Sequence, residues 1–160
     1  MNYPLQIVMA FLGSLGFALM FNLRKRFLLE ASLNGTVCWI IFLLCQYYKF
    51  NIFISSMLAS VWSAACAEVL ARIHKTPSNQ FLIIALMPLV PGGMLYRTME
   101  SFVQGELIQG IAKGTNQFSR TTMSYALGIA VGISLVYSIQ NMIYRIIFIA
   151  KKQTSKSAKN

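Results

Sequence analysis

The residues of this chain with chemistry to offer are few. Glu30, Glu68, Glu100 and Glu106 are its only carboxylates, His74 is its only imidazole, and aspartate is absent. One His and four Glu do not assemble a nucleophile, a base and oxyanion donors, so the chain does not read as an enzyme. A metal centre is no better supported, because no second His exists and Cys38, Cys45 and Cys66 lie in apolar stretches without ligand spacing. No glycine-rich nucleotide motif occurs, and no cofactor is expected.

What remains is the chemistry of an ionisable group or an opened backbone inside an apolar segment. Glu68 sits near the end of such a segment, where it can carry a proton or close a gate if it faces a cavity, or pair with Arg72 four residues on. The run Pro88-Leu89-Val90-Pro91-Gly92-Gly93 interrupts another. Pro91 has no N–H to donate and Pro88 clashes with the preceding turn, so the helix should open around Leu89 and Val90. Counted from Gln80, Pro88 lies about 12 Å along the helix, near the middle of a bilayer. If Pro91 starts a second half-helix, the N–H groups around Gly92, Gly93 and Met94 form a site for a carboxylate, as in the discontinuous helices of transporters. The alternative is a proline kink that only shapes the bundle. Tyr96 and Arg97 follow the break. Arg97 either completes a carboxylate-binding mouth or pairs with Glu100 at i,i+3.

These residues need spanning helices to position them, and the composition demands the same. Of 160 residues, 56% are hydrophobic and 11% charged, against about 25% charged in a soluble domain. An all-α integral membrane bundle of about five transmembrane helices is therefore expected, the fourth broken at its Pro-x-x-Pro-Gly-Gly motif. The expected spans are Leu5 to Leu23, Ala31 to Tyr48, Ile52 to Ala71, a fourth from Phe81 that resumes after the break to Val103, and Thr122 to Tyr144, prolonged by Ile146 to Ala150. Residues 1–150 form the membrane domain and 151–160 a basic cytoplasmic tail. The stretch from Gly105 to Arg120 reads as a flexible outer connection, a candidate lid. A four-span drawing that merges or ejects the second segment is the alternative.

Within the spans, small residues recur every four positions: Ala10, Ser14 and Ala18; Ala59, Ser63, Ala67 and Ala71; Ser56, Ser60 and Ala64; and Ser124, Gly128 and Gly132. Such ladders let helices approach closely in lipid, where apolar burial gives them no reason to associate. Asn22 and Asn34 are expected to hydrogen-bond across helices. His74, between Arg72 and Lys75, reads as an inner-surface residue and not a ligand, and Glu30 and Glu106 read as interfacial or loop charges.

The net charge of +10 belongs to flanks of apolar runs, with no interleaved aromatic and basic stripe, so nucleic acid is not the expected partner. With the N-terminus outside, the inner side carries Arg24, Lys25, Arg26, Arg72, Lys75, Arg145, Lys151, Lys152, Lys156 and Lys159. The outer side keeps Lys49, Arg97, Lys113 and Arg120. That asymmetry predicts an outside N-terminus and a cytoplasmic C-terminus.

Taken in order, Gly16-Phe17-Ala18-Leu19-Met20-Phe21-Asn22, Glu68-Val69-Leu70-Ala71-Arg72, Lys75-Thr76-Pro77, Phe81-Leu82, Pro88 to Gly93 and Tyr96-Arg97-Thr98-Met99 resemble the C-terminal membrane domain of the threonine/serine exporter family. The resemblance runs from about Leu5 to Tyr144. It implies a bacterial inner-membrane exporter of small amino or carboxylic acids, threonine, serine or succinate among them. It also implies a second membrane subunit similar to the family's N-terminal half, because this chain is similar to the second half only. In that reading Pro88, Pro91, Gly92, Gly93, Tyr96 and Arg97 bind substrate, and Glu68, Arg72 and Glu100 couple protons or gate. Membrane lipid and a small-molecule substrate are the other expected partners. A holin-like pore and a non-transporting scaffold subunit are the readings from other classes.

Overall fold

A computed structural model of the chain describes residues 3–103 and 117–157, which are helical and contain no strand. Its helices are α1 (Tyr3–Met20), α2 (Lys25–Tyr47), α3 (Ile52–His74), α4 (Ser78–Leu86) with a 3₁₀ turn Met87–Leu89, α5 (Gly92–Val103) and α6 (Gln117–Ser157). Four of them, α1, α2, α3 and the Arg120–Ile143 part of α6, are long and apolar enough to cross a membrane. A fifth crossing arises if α4 and α5, bent by 66° at their junction, count as one broken span.

The contacts of α6 bear on that count. Gly128 faces Ser56 and Gly132 faces Ser60, while the Tyr137 hydroxyl reaches Ser78 Oγ and Asn79 Oδ1, both at 3.4 Å. Residue numbers rise together along α3 and α6, so the two helices run parallel. Since α3 and α6 start at the same end, the chain has to return to that end between His74 and Gln117, along the α4–α5 element. The protein is a multi-pass membrane bundle.

Three helices end in the same way. Asn22, Lys49 and Lys75 all adopt the left-handed conformation, at φ 52°, 57° and 51°. After each, a backbone N–H bonds five residues back: Leu23 to Ala18 O, Phe50 to Cys45 O and Thr76 to Ala71 O. These bonds satisfy carbonyls that a helix C-terminus leaves open and stop the chain sharply enough for short connections.

The core is made of small side chains. The buried residues of α1 are Ala10, Ser14 and Ala18, the stripe its spacing predicts. On α3 both expected ladders are buried. One faces α2, where Asn34 Nδ2 donates to Ser63 O at 3.2 Å and Cys38 Sγ to Ala59 O at 3.4 Å. The other faces α6. Larger residues fill the end that carries Arg24, Arg72 and Lys75, where Phe27, Phe81, Leu82 and Ile84 pack together.

Helices α2 and α6 both run past the expected spans. Helix α2 begins at Lys25, not Ala31, because Phe27 is buried against His74 and Phe81 and draws the basic run into the first turn. Helix α6 is continuous to Ser157, through what the sequence suggests as a separate tail. At 1.5 Å per residue its 41 residues reach about 60 Å, twice a hydrocarbon core. The expected outer connection from Gly105 falls mainly on residues 104–116, outside the described residues, as does Glu106.

Candidate functional site

The break lies inside the bundle. Leu89, 1% exposed, packs with Cys38, Phe42 and Ala59 of α2 and α3. Here the α-helix tightens to a 3₁₀ turn, the Val90 N–H bonds to Met87 O, and Val90 itself is extended at φ −68°, ψ 119°. The Gly92 N–H is taken by Val90 O at 2.9 Å, and the first α-helical bond of α5 runs from Leu95 N–H to Pro91 O. Of the three N–H groups expected at this site, Gly92 is thus spent within the turn. Gly93 and Met94 stand ahead of the first helical bond, where a helix has no internal acceptor for them.

Beyond the break the expected site residues point away from the core. Pro88 and Pro91 are half-buried, whereas Gly92, Gly93, Tyr96, Arg97 and Glu100 are exposed. No atom outside their own helix turn lies within 4 Å of a side chain built at Gly92 or Gly93. Helix α5 is held to α6 through Thr98 Oγ1 and Thr122 Oγ1, 3.2 Å apart.

Glu68 pairs with Arg72 along α3, Nε to Oε1 at 3.3 Å, with the carboxylate side chain 15% exposed. This is the i,i+4 arrangement their spacing permits. The pair lies along one face of α3.

A different carboxylate links helices. Glu30 Oε2 lies 2.6 Å from His74 Nε2, across 44 positions of sequence, and ties the first turns of α2 to the last turn of α3. The imidazole packs against two rings that also touch each other, with Phe27 at 4.6 Å and Phe81 at 6.2 Å between centroids. Sequence reasoning assigned both residues to the surface.

Asn34, expected near a span end, lies ten residues inside α2 because that helix starts early. It forms the cross-helix hydrogen bond expected of it, yet its Oδ1 has no partner, nor do Ser63 Oγ and Ser14 Oγ, all fully buried. Ser14 of α1 abuts Gly35, the neighbour of Asn34. The middle of the bundle therefore holds unspent hydrogen-bonding capacity at the crossing of α1, α2 and α3, an uncommon and functionally loaded feature at membrane depth. Asn22 makes no such bond; it is an exposed cap residue. Among the described residues no group of three His, Cys or carboxylate side chains is placed to hold a metal.

No curated protein and no solved structure gives a significant match to this chain. The family described as Threonine/Serine exporter, ThrE, matches residues 6–139. That span takes in α1 to α5 and the membrane-crossing part of α6 up to Ile139, the broken helix included, so the chain belongs to the threonine/serine exporter family.

Proposed function

We propose that this protein is one subunit of a secondary transporter that exports small amino acids such as threonine and serine, or small carboxylic acids such as succinate. The observation that carries the reading is a span broken inside the bundle, at buried Leu89, in a chain of an exporter family. Unwound backbone at membrane depth is tolerated only against protein or a wet cavity, and transporters place substrate there. Pro88, Pro91, Gly92 and Gly93 form the site, and Tyr96 and Arg97 orient a carboxylate. Their exposure in the single chain fits a site completed by a second membrane subunit resembling the family's N-terminal half.

Glu68, with Arg72 as its resting partner, exchanges a proton or closes the inner gate, and Glu100 serves the outer side. Proton coupling is supported by an ionisable group in a spanning helix and by the lack of a nucleotide-binding motif. The family supports a bacterial inner-membrane location, and the basic ends of α1–α2, α3 and α6 support an N-terminus outside.

Efflux of labelled threonine, serine and succinate tests this, from cells expressing the chain, its partner subunit, or both, with and without a proton-motive force. Export from the pair alone, lost on uncoupling, is the expected outcome. Equal efflux from all strains would withdraw these substrates, and leakage from the chain by itself would indicate a pore. Glu68→Gln should abolish coupled export while the protein stays in the membrane.

A further inference from the structure

At the basic end of the bundle, between the α1–α2 turn and the start of α4, lies a cavity of about 330 Å³. Its polar lining is Asn22, Arg24, Asn79 and Gln80, over an apolar floor that includes Ile83 and Ile84. Neither Glu68 nor any other carboxylate lines it, and none of the ion pairs among the described residues involves Arg24. The volume is at the lower end of the range for small-molecule sites, which runs from about 300 to 1,000 Å³.

Its walls are fixed from several sides. Leu23 is 9% exposed and its N–H bonds to Ala18 O, so the turn that presents Asn22 and Arg24 is anchored in the core. The Arg24 carbonyl accepts the Phe27 N–H at 2.8 Å, setting the direction in which α2 departs. On the opposite wall the Tyr137 hydroxyl donates to Asn79 Oδ1 at 3.4 Å, which leaves the Asn79 amide N–H₂ to serve as a donor. Ile84, 1% exposed, holds α4 against the same core.

We propose that this cavity binds the carboxylate of a small organic acid, with Arg24 as its charge partner and Asn79 and Gln80 as amide donors. The assignment of that acid as the transported substrate rests on the exporter reading. A guanidinium fork matches a carboxylate in two parallel hydrogen bonds, and amide donors beside it complete the oxygen valences. Lys25 and Arg26 follow Arg24 directly and deepen the positive potential at the entrance. An ammonium group, by contrast, meets no carboxylate here. The site therefore ranks a dicarboxylate above a neutral amino acid. Helix α4 leads from this cavity to the break at Leu89 in three turns, so a carboxylate held at Arg24 stands at the foot of the broken span.

Equilibrium binding of labelled succinate and threonine to the purified full chain in nanodiscs tests the site. Saturable succinate binding, tighter than threonine, is expected. Arg24→Gln should weaken it by about tenfold or more, the loss of one charge-assisted bidentate contact. Arg26→Gln removes the same charge outside the cavity and should change it less than about twofold. Gln80→Leu, on the exposed start of α4, provides a second variant whose binding should fall. No saturable binding, equal losses for Arg24→Gln and Arg26→Gln, or tighter threonine than succinate would each overturn the proposal. Binding lost in Arg24→Gln with no export by any strain would support the site and withdraw the exporter reading. Unaltered export kinetics in Arg24→Gln, alongside export by the wild type, would overturn the site and leave that reading intact.

Discussion

Two pairs of glycines in this protein sit in opposite surroundings. Gly128 and Gly132 of α6 are buried against α3, where an added Cβ would stand 2.7 Å from the Phe53 and Met57 carbonyl oxygens respectively. Gly92 and Gly93 of α5 have open space beside them. In the first pair the absent side chain is what lets two backbones meet, and Ser60 Oγ comes within 3.5 Å of the Gly128 carbonyl. In the second, the absent side chain is used by nothing among the described residues. The α3–α6 contact is thus complete in this protein, and the α4–α5 element is not. Lipid tails are as apolar as leucine, so helices associate only where dispersion and hydrogen bonds reward close approach. A helix such as α5, amphipathic and held mainly to α6, is the part that another molecule can engage.

The largest effect should come from breaking the closed half. Gly132→Val places a branched side chain against backbone that cannot yield, and no folded bundle is expected when monodisperse protein is recovered in mild detergent. The milder Gly132→Ala should retain the fold at a cost of about 1–3 kcal/mol, read as a lowered thermal midpoint. A variant as stable as wild type would show that α3 and α6 are not locked, and the contrast between the two glycine pairs would collapse.

His74→Ala asks whether the basic end belongs to the closed half. The lost contact to Glu30 joins α2 to α3, but Glu30 is 41% exposed in its side chain. A destabilisation of about 1 kcal/mol is therefore expected, the value of a hydrogen-bonded pair discounted for solvent. Glu30→Gln keeps a hydrogen-bond acceptor and should lose less. Export that falls further than stability in His74→Ala would add this pair to the moving parts.

Pro91→Ala addresses the open half directly. It restores an N–H and removes the fixed φ, so the 66° bend between α4 and α5 should relax toward a continuous helix. Distances between spin labels at residues 80 and 99 would report that change, with transport impaired and stability altered by less than about 1 kcal/mol. An unmoved distance distribution would mean that packing at Leu89, not the proline, sets the bend.

The packed half was readable because its rule is periodic. Ala10, Ser14 and Ala18, and both ladders of α3, recur at helical spacing, and each stripe is buried as that spacing requires. The break was readable because proline acts locally, through its missing N–H and the clash with the turn before it. What was hidden depends on distance or on solvent. Glu30 and His74 are 44 positions apart, and nothing in either neighbourhood announces the other. The start of α2 was obscured because Arg24-Lys25-Arg26 carries no apolar pattern, although a helix end in water needs none. The cavity at Arg24 joins two connections that meet only after α1 and α4 have packed.

The smallest change sharpens the comparison most. Gly93→Ala adds one methyl where nothing lies within 4 Å, inside the first turn of α5. Alanine costs less conformational entropy than glycine in a helix, so stability should hold or rise, by about 0.5–1 kcal/mol at most. Among the described residues nothing requires this position to be glycine. A substrate carboxylate or a second subunit that approaches the Gly93 backbone does give one, because either needs the space the methyl would fill. Export from the assembled transporter should then fall while the thermal midpoint of the isolated chain does not. Unchanged export in Gly93→Ala would mean that nothing comes close at this point, and would move the substrate path away from α5 toward the unsatisfied polar atoms of Ser14, Asn34 and Ser63.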